Sequence, residues 1–204
     1  MTALRDEASL ATGVGLAFLL WCIVFLTGIL GSFWLRVTFA AAALAFYASF
    51  FGVAPSGDLK LDRPTLVRGV LSGGLLYSVF HIGFSVFRPF VEQGAASVYL
   101  LGGGSKPYFA APVLVFTSVC EEYFWRRYVQ RSLVARRGKK KGLILSTLAY
   151  ALIHLPTLNA PLVFAALVAG LYWGVLYEHT GSFGTIAVSH IVWTELIFVF
   201  LPLS

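Results

Sequence analysis

Seven apolar runs occupy most of this chain: Ser9 to Leu30, Phe33 to Ala54, Gly69 to Phe87, Tyr108 to Leu133, Gly142 to Leu155, Ala160 to Tyr177 and Phe183 to Leu203. A helix needs ~20 mostly apolar residues to cross a ~30 Å hydrocarbon core, and all but the fifth run come to about that length. With 58% hydrophobic and 12% charged residues, the composition excludes an ordinary soluble domain. The two-residue alternation of an outer-membrane barrel is missing. The expected architecture is therefore all-α: a polytopic transmembrane helix bundle of about seven spans. The first run is too long for a signal-peptide core and lacks a small-x-small cleavage site, so it is expected to be retained. Cys22 and Cys120 both fall inside runs and are expected to pack rather than to pair or hold metal.

Basic residues set the expected orientation, because short loops rich in Lys and Arg stay on the cytoplasmic side. Arg126, Arg127, Arg131, Arg136, Arg137, Lys139, Lys140 and Lys141 cluster where the fourth run gives way to the fifth. That junction is read as internal, which puts Arg5, Lys60, Arg63 and Arg68 inside as well and leaves Arg36, Arg88 and Lys106 outside. The N-terminus is then cytoplasmic and the C-terminus external. The same cluster explains a net charge of +6 and points to anionic lipid headgroups. No aromatic residues interleave the lysines, so no nucleic-acid partner is expected.

Charge inside the apolar runs is costly and marks function or pairing. Glu121 and Glu122 follow the unbroken apolar stretch from Tyr108 to Cys120, inside the fourth run. On a helix they lie about 100° apart, so they face different neighbours. Arg126 is four residues beyond Glu122, the spacing that brings opposite charges together, which makes Glu122 the structural carboxylate and leaves Glu121 free. His154 precedes Leu155-Pro156, and the proline cannot continue a helix cheaply. The fifth helix is thus expected to end inside the membrane with His154 in its last turn, against a cavity, since broken backbone at that depth must be buried in protein or line one. Counting at ~1.5 Å per residue puts Glu121 and His154 at the same height. His190 in the last run has Thr194 one turn along the same face, while His81 and His179 have weaker contexts and read as structural. Glu195 either joins a polar network or supports the site. Ala166, Gly170 and Gly174 form a small-xxx-small stripe, expected to be scaffold. The stretch Leu101-Gly102-Gly103-Gly104-Ser105 is flexible enough to gate access from outside.

Taken in order, Glu121-Glu122-x-x-x-Arg126, Tyr150-x-x-x-His154 and His190-x-x-x-Thr194 resemble the CPBP intramembrane protease family, which includes the eukaryotic CAAX prenyl endopeptidase and bacterial proteins of bacteriocin processing or immunity. Tyr150 stands where the family pattern has Phe, and Thr194 where it has Asn. The resemblance divides one integral-membrane domain into a variable part, 1–106, and a catalytic helical core, 107–204. It implies peptide-bond hydrolysis in a bacterial inner (plasma) membrane without a cofactor. Glu121 and His154 would act on a water molecule, His190 and Thr194 on the oxyanion, and Tyr150 would position His154 by packing. Its substrate would be a membrane-associated protein or peptide: a CAAX-like tail, a bacteriocin leader or a C-terminal sorting anchor.

Three other classes use the same residues. Glu121, His154 and His190 could be zinc ligands with a fourth position for water, although HExxH is missing. Intramembrane acids and histidines also build the proton relays of transporters, but no internal repeat is evident. A non-catalytic membrane partner that keeps the fold would not need Glu121, His154 and His190 together.

Overall fold

The computed structural model describes residues 2–51, 58–103 and 107–203, and among these it is helical with no strand. Helix α1 spans Thr2–Leu26, α2 Phe33–Phe51 and α3 Arg63–Leu101. Helix α4, Pro107–Glu122, runs on through a π-helical segment, Tyr123–Gln130, into α5, Arg131–Arg137. Helix α6 is Lys139–Leu152, a 3₁₀ turn covers Leu155–Thr157, α7 is Ala160–Thr180, and α8, Phe183–Glu195, ends in a π-helical stretch, Leu196–Phe200. Among the described residues, five helical stretches are long and apolar enough to cross a membrane: Glu7–Leu26, Phe33–Phe51, Arg63–Leu101, Ala160–Thr180 and Phe183–Phe200. Their outer faces carry exposed Phe46, Phe50, Leu71, Val86 and Leu100, an apolar surface suited to lipid rather than water.

The fourth and fifth expected runs differ from these five for physical reasons. The fourth is one long helical stretch whose second half is charged and buried. The fifth is the 14-residue α6, about 21 Å long at 1.5 Å per residue. Its C-terminal end falls two residues short of His154, which lies in the turn beyond the cap residue Ile153. The basic junction between them is not an open loop: α5 and α6 meet at the single residue Gly138, at φ +79°, a left-handed geometry that a β-carbon disfavours.

Helix α3 runs well past the expected end at Phe87. Its start is capped by Asp62, which accepts from the Thr65 N–H at 3.0 Å with Pro64 in the first turn. Hydrogen bonds from Thr65 hold the Asp62 carboxyl below its ordinary range. At Phe87 the backbone leaves helical geometry, φ −104° and ψ 18°, because Pro89 lacks an N–H and its ring crowds the preceding turn. The proline kinks the helix rather than ending it. The segment beyond the kink is tied to the turn before α7, with Asn159 Nδ2 donating to Gly94 O at 2.8 Å and to Ser97 Oγ at 2.9 Å.

The main core gathers Trp21 and Val24 of α1, Leu44 of α2, Phe124, Trp125 and Tyr128 of the π-helical segment, and Tyr150 and Ile153. Helix α8 lies against α3 so closely that a β-carbon on Gly73 would come within 2.6 Å of the Ser189 carbonyl, the close approach that small residues allow between membrane helices. The small stripe of α7 packs on α6, with Gly170 against the Tyr150 ring and Gly174 against Leu143. At the basic end, Asp58 pins the segment before α3. Its carboxylate accepts from Arg127 at 2.8 and 3.1 Å and from the Tyr177 hydroxyl at 3.0 Å, and its carbonyl accepts from Phe183 N at 2.9 Å.

Candidate active site

Consecutive helical positions separate the two glutamates. Glu122 is fully buried, and its Oε2 accepts from Arg126 Nε at 3.0 Å. Its Oε1 faces His190 Nδ1 at 2.9 Å. One carboxylate therefore holds a guanidinium and an imidazole at once. The network continues along the same helix, where Arg126 Nη1 reaches Gln130 Oε1 at 3.4 Å and Gln130 Nε2 donates to Gly174 O and Glu178 Oε1 at 3.0 and 2.9 Å. Removing one partner from a buried pair of this kind costs ~3–5 kcal/mol, because the other charge is left uncompensated.

Glu121 points instead towards α6, where Oε2 accepts from the Tyr150 hydroxyl at 3.2 Å. Tyr150 therefore does more than pack beside His154: its ring lies edge-on to the imidazole with centroids 5.4 Å apart, while its hydroxyl holds Glu121. Its carbonyl also faces His154 Nδ1 at 2.9 Å. The local cause is the helix end. The His154 N–H turns back to Ala151 O at 3.1 Å, leaving the Tyr150 carbonyl to the ring, as happens to last-turn carbonyls. A carbonyl only accepts, so Nδ1 carries the proton and Nε2 the lone pair. Nε2 accepts from Trp21 Nε1 at 3.2 Å.

His190 stacks on Trp173 with centroids 3.8 Å apart and an interplanar angle of 24°. With Nδ1–H held by Glu122, its Nε2 has no protein partner among the described residues. Thr194 does not turn its hydroxyl proton to the cavity in this rotamer: Oγ1 contacts the carbonyls of His190 and Ile191, each at 3.0 Å, and Ser118 Oγ at 3.1 Å.

Glu121, Tyr150, His154, His190 and Thr194 line one cavity of about 250 Å³, together with Ser118 and with apolar side chains that include Phe25, Phe33, Val37 and Leu162. The far end of α3 contributes Tyr99 and Gly102 to the same wall. Gly104 and Ser105 of the expected gate lie outside the described residues. His81 and His179 are exposed away from the cavity. Cys120 is buried and Cys22 half-buried. Both Glu195 oxygens are buried without a hydrogen-bond partner.

Among the described residues, no three His, Cys, Asp or Glu side chains gather as a metal-holding group. In this arrangement the His154 lone pair faces an indole N–H, while His190, with Nδ1 on a carboxylate, keeps Nε2 without a protein partner among the described residues. No step is assigned to a metal.

Of the residues around this site, sequence reasoning missed Trp21, Ser118, Trp173 and Gln130. Ser118 and Gln130 extend the four-residue ladder from Glu122 and Arg126 in either direction and were legible by spacing. The two tryptophans carry no such mark.

Residues 103–195 match the model of the family described as Type II CAAX prenyl endopeptidase Rce1-like. Searches of curated proteins and of solved structures returned no match. The matched stretch opens just before α4, closes at Glu195 and contains all three motifs, the same stretch that resembles the CPBP proteases. Its family is one of peptide hydrolases, and the apolar helices around it are those of an integral membrane protein. The family resemblance of this chain is therefore to the Rce1-like type II CAAX prenyl endopeptidases, over residues 103–195, which hold both glutamates, His154 and His190.

Proposed function

We propose that the chain is an intramembrane endopeptidase that hydrolyses a peptide bond of a membrane-associated protein or peptide through a water activated by Glu121 and His154. The observation that carries this reading is the opening of Glu121, His154 and His190 onto a single cavity with an apolar wall. Glu121 takes a proton from water as the oxygen adds to the scissile carbonyl carbon. The carbonyl π pair moves to oxygen and gives a tetrahedral oxyanion. When the C–N bond breaks, the proton passes to the departing nitrogen, leaving a carboxylic acid and an amine. His154 orients the water through Nε2. His190 faces the oxyanion, and because its Nδ1–H is committed to Glu122, Nε2 donates only when the ring carries its second proton. Thr194 supports this ring from one turn away, and Arg126 and Glu122 fix its place.

The substrate is read as a CAAX-like tail, a bacteriocin leader or a C-terminal sorting anchor, whose apolar part would lie along Phe25, Phe33 and Val37. The protein crosses a bacterial inner (plasma) membrane about seven times, N-terminus inside and C-terminus outside. Arg136, Arg137 and the lysines at 139–141 then meet anionic lipid at the cytoplasmic face. No cofactor and no nucleic acid take part.

The test uses purified protein in liposomes and internally quenched peptides of the three substrate types, one farnesylated. One type is expected to be cleaved, with Glu121→Gln lowering the rate by a factor of ~10²–10⁴, the range for loss of a general base. Folded wild-type protein that cleaves none of them, or a fully active Glu121→Gln, would overturn the reading.

A further inference from the structure

The matched segment begins at residue 103, yet one group that touches the candidate site comes from α1. Trp21 is 2% exposed, and its indole N–H donates to His154 Nε2 at 3.2 Å. The two rings meet edge to face, with centroids 6.0 Å apart and planes at 77°. The indole nitrogen is a donor only, so this contact requires a lone pair on Nε2. From the other side of the ring, the Tyr150 carbonyl, an acceptor only, requires a proton on Nδ1, 2.9 Å away. Two independent contacts thus select one tautomer. The imidazole is held at both nitrogens, and the indole N–H occupies the place from which a water O–H would donate to the same lone pair. Trp21 and His154 line the same cavity.

We infer that Trp21 is a positioning residue for His154: its indole N–H holds the imidazole in the Nδ1–H form, so that Nε2 keeps the lone pair to which the reacting water donates once the indole gives way. This rests on the protease reading above for its consequence in turnover, but not for its structural content. The working site then includes α1, outside the matched segment, and a chain cut down to residues 103–195 would lack it.

The test replaces Trp21 with 3-benzothienylalanine, which keeps the shape of indole but has sulfur in place of N–H, and in parallel with Trp21→Phe. Full-length protein labelled with ¹⁵N-histidine is reconstituted in lipid nanodiscs, and the His154 signals are assigned by their loss in His154→Gln. Wild-type protein is expected to show a protonated Nδ1 and a hydrogen-bonded, unprotonated Nε2. The isostere should shift the Nε2 signal and let a second tautomer appear at unchanged thermal stability. With whichever quenched peptide is cleaved, kcat should fall up to about tenfold, the scale of one lost hydrogen bond, while KM stays the same. Unchanged ring signals in the isostere overturn the inference, as does a kcat that is unchanged or raised although the signals shift. If no peptide is cleaved by any form, the protease reading fails, and the ring signals alone still decide whether Trp21 sets the tautomer.

Discussion

Glu121 and Glu122 are neighbours in the chain and serve different partners: the first takes the hydroxyl of Tyr150, the second lies between Arg126 and His190. Their roles should separate on mutation. Glu122→Gln leaves Arg126 buried without its counter-charge and should destabilise the protein by ~3–5 kcal/mol, read as a lower melting temperature in detergent. Glu121→Gln should melt like the wild type and lose turnover. A stable, inactive Glu122→Gln beside an active Glu121→Gln would reverse the assignment.

Tyr150→Phe removes the hydroxyl donated to Glu121 but keeps the ring beside His154 and the carbonyl that holds it. A single hydrogen bond contributes about 0.5–1.5 kcal/mol net, so peptide cleavage should drop by no more than about tenfold with the fold intact. Complete loss of cleavage in a normally melting Tyr150→Phe would show that the hydroxyl takes part in the chemistry itself.

The clamp at Asp58 makes a prediction about stability alone. Asp58→Ala takes the paired carboxylate from a buried Arg127 while the residue-58 carbonyl can still accept from Phe183, and a loss of up to ~3–5 kcal/mol is expected. Melting measured with and without a matching Arg127→Met should show that the double variant recovers part of the loss. No recovery would mean that the carboxylate acts through its other contacts.

Topology can be read by labelling. A cysteine placed by Lys139→Cys should react with an impermeant reagent in inside-out vesicles and stay unlabelled in intact cells, if the basic turn faces the cytoplasm as its charge requires. Labelling from outside intact cells would reverse the orientation.

Metal dependence is open to a direct test. Water activation by Glu121 and His154 should survive thorough chelation with little change in rate, whereas a zinc enzyme would lose activity and regain it on adding Zn²⁺. Stoichiometric zinc in the purified protein together with such recovery would recast Glu121, His154 and His190 as ligands.

The parts of the site that follow helical spacing were legible beforehand. Glu122 with Arg126 is a four-residue pair, the helix break at Leu155-Pro156 follows from proline sterics, and Glu121 and His154 were expected at one height and are joined by Tyr150. What escaped was long-range. Trp21 is one more apolar residue in an apolar run, and its meeting with His154 across 133 positions depends on how α1 packs. Asp58 lies in a short polar stretch whose composition says only turn, and its partners come from several later helical segments. The length of α3 was misread because Pro89, Arg88 and Glu92 resemble a loop in composition, yet a kink accommodates the proline and Arg88 pairs with Glu92 at 2.9 Å one turn on.

The π-helical segment Tyr123–Gln130 makes this stretch unusually sensitive to where a length change falls. Wider turns hold one residue more than an α-helix would over the same rise, and such a surplus is the simplest thing for a deletion to remove. Losing one residue there would let the segment relax into an ordinary α-helix with the helix on either side keeping its face, whereas losing one from the α-helical turns next to it would rotate everything after the loss by about 100°. In an insertion and deletion scan of the full chain, a single deletion within these eight positions should be better tolerated than a single deletion in the neighbouring turns of α4 or α5.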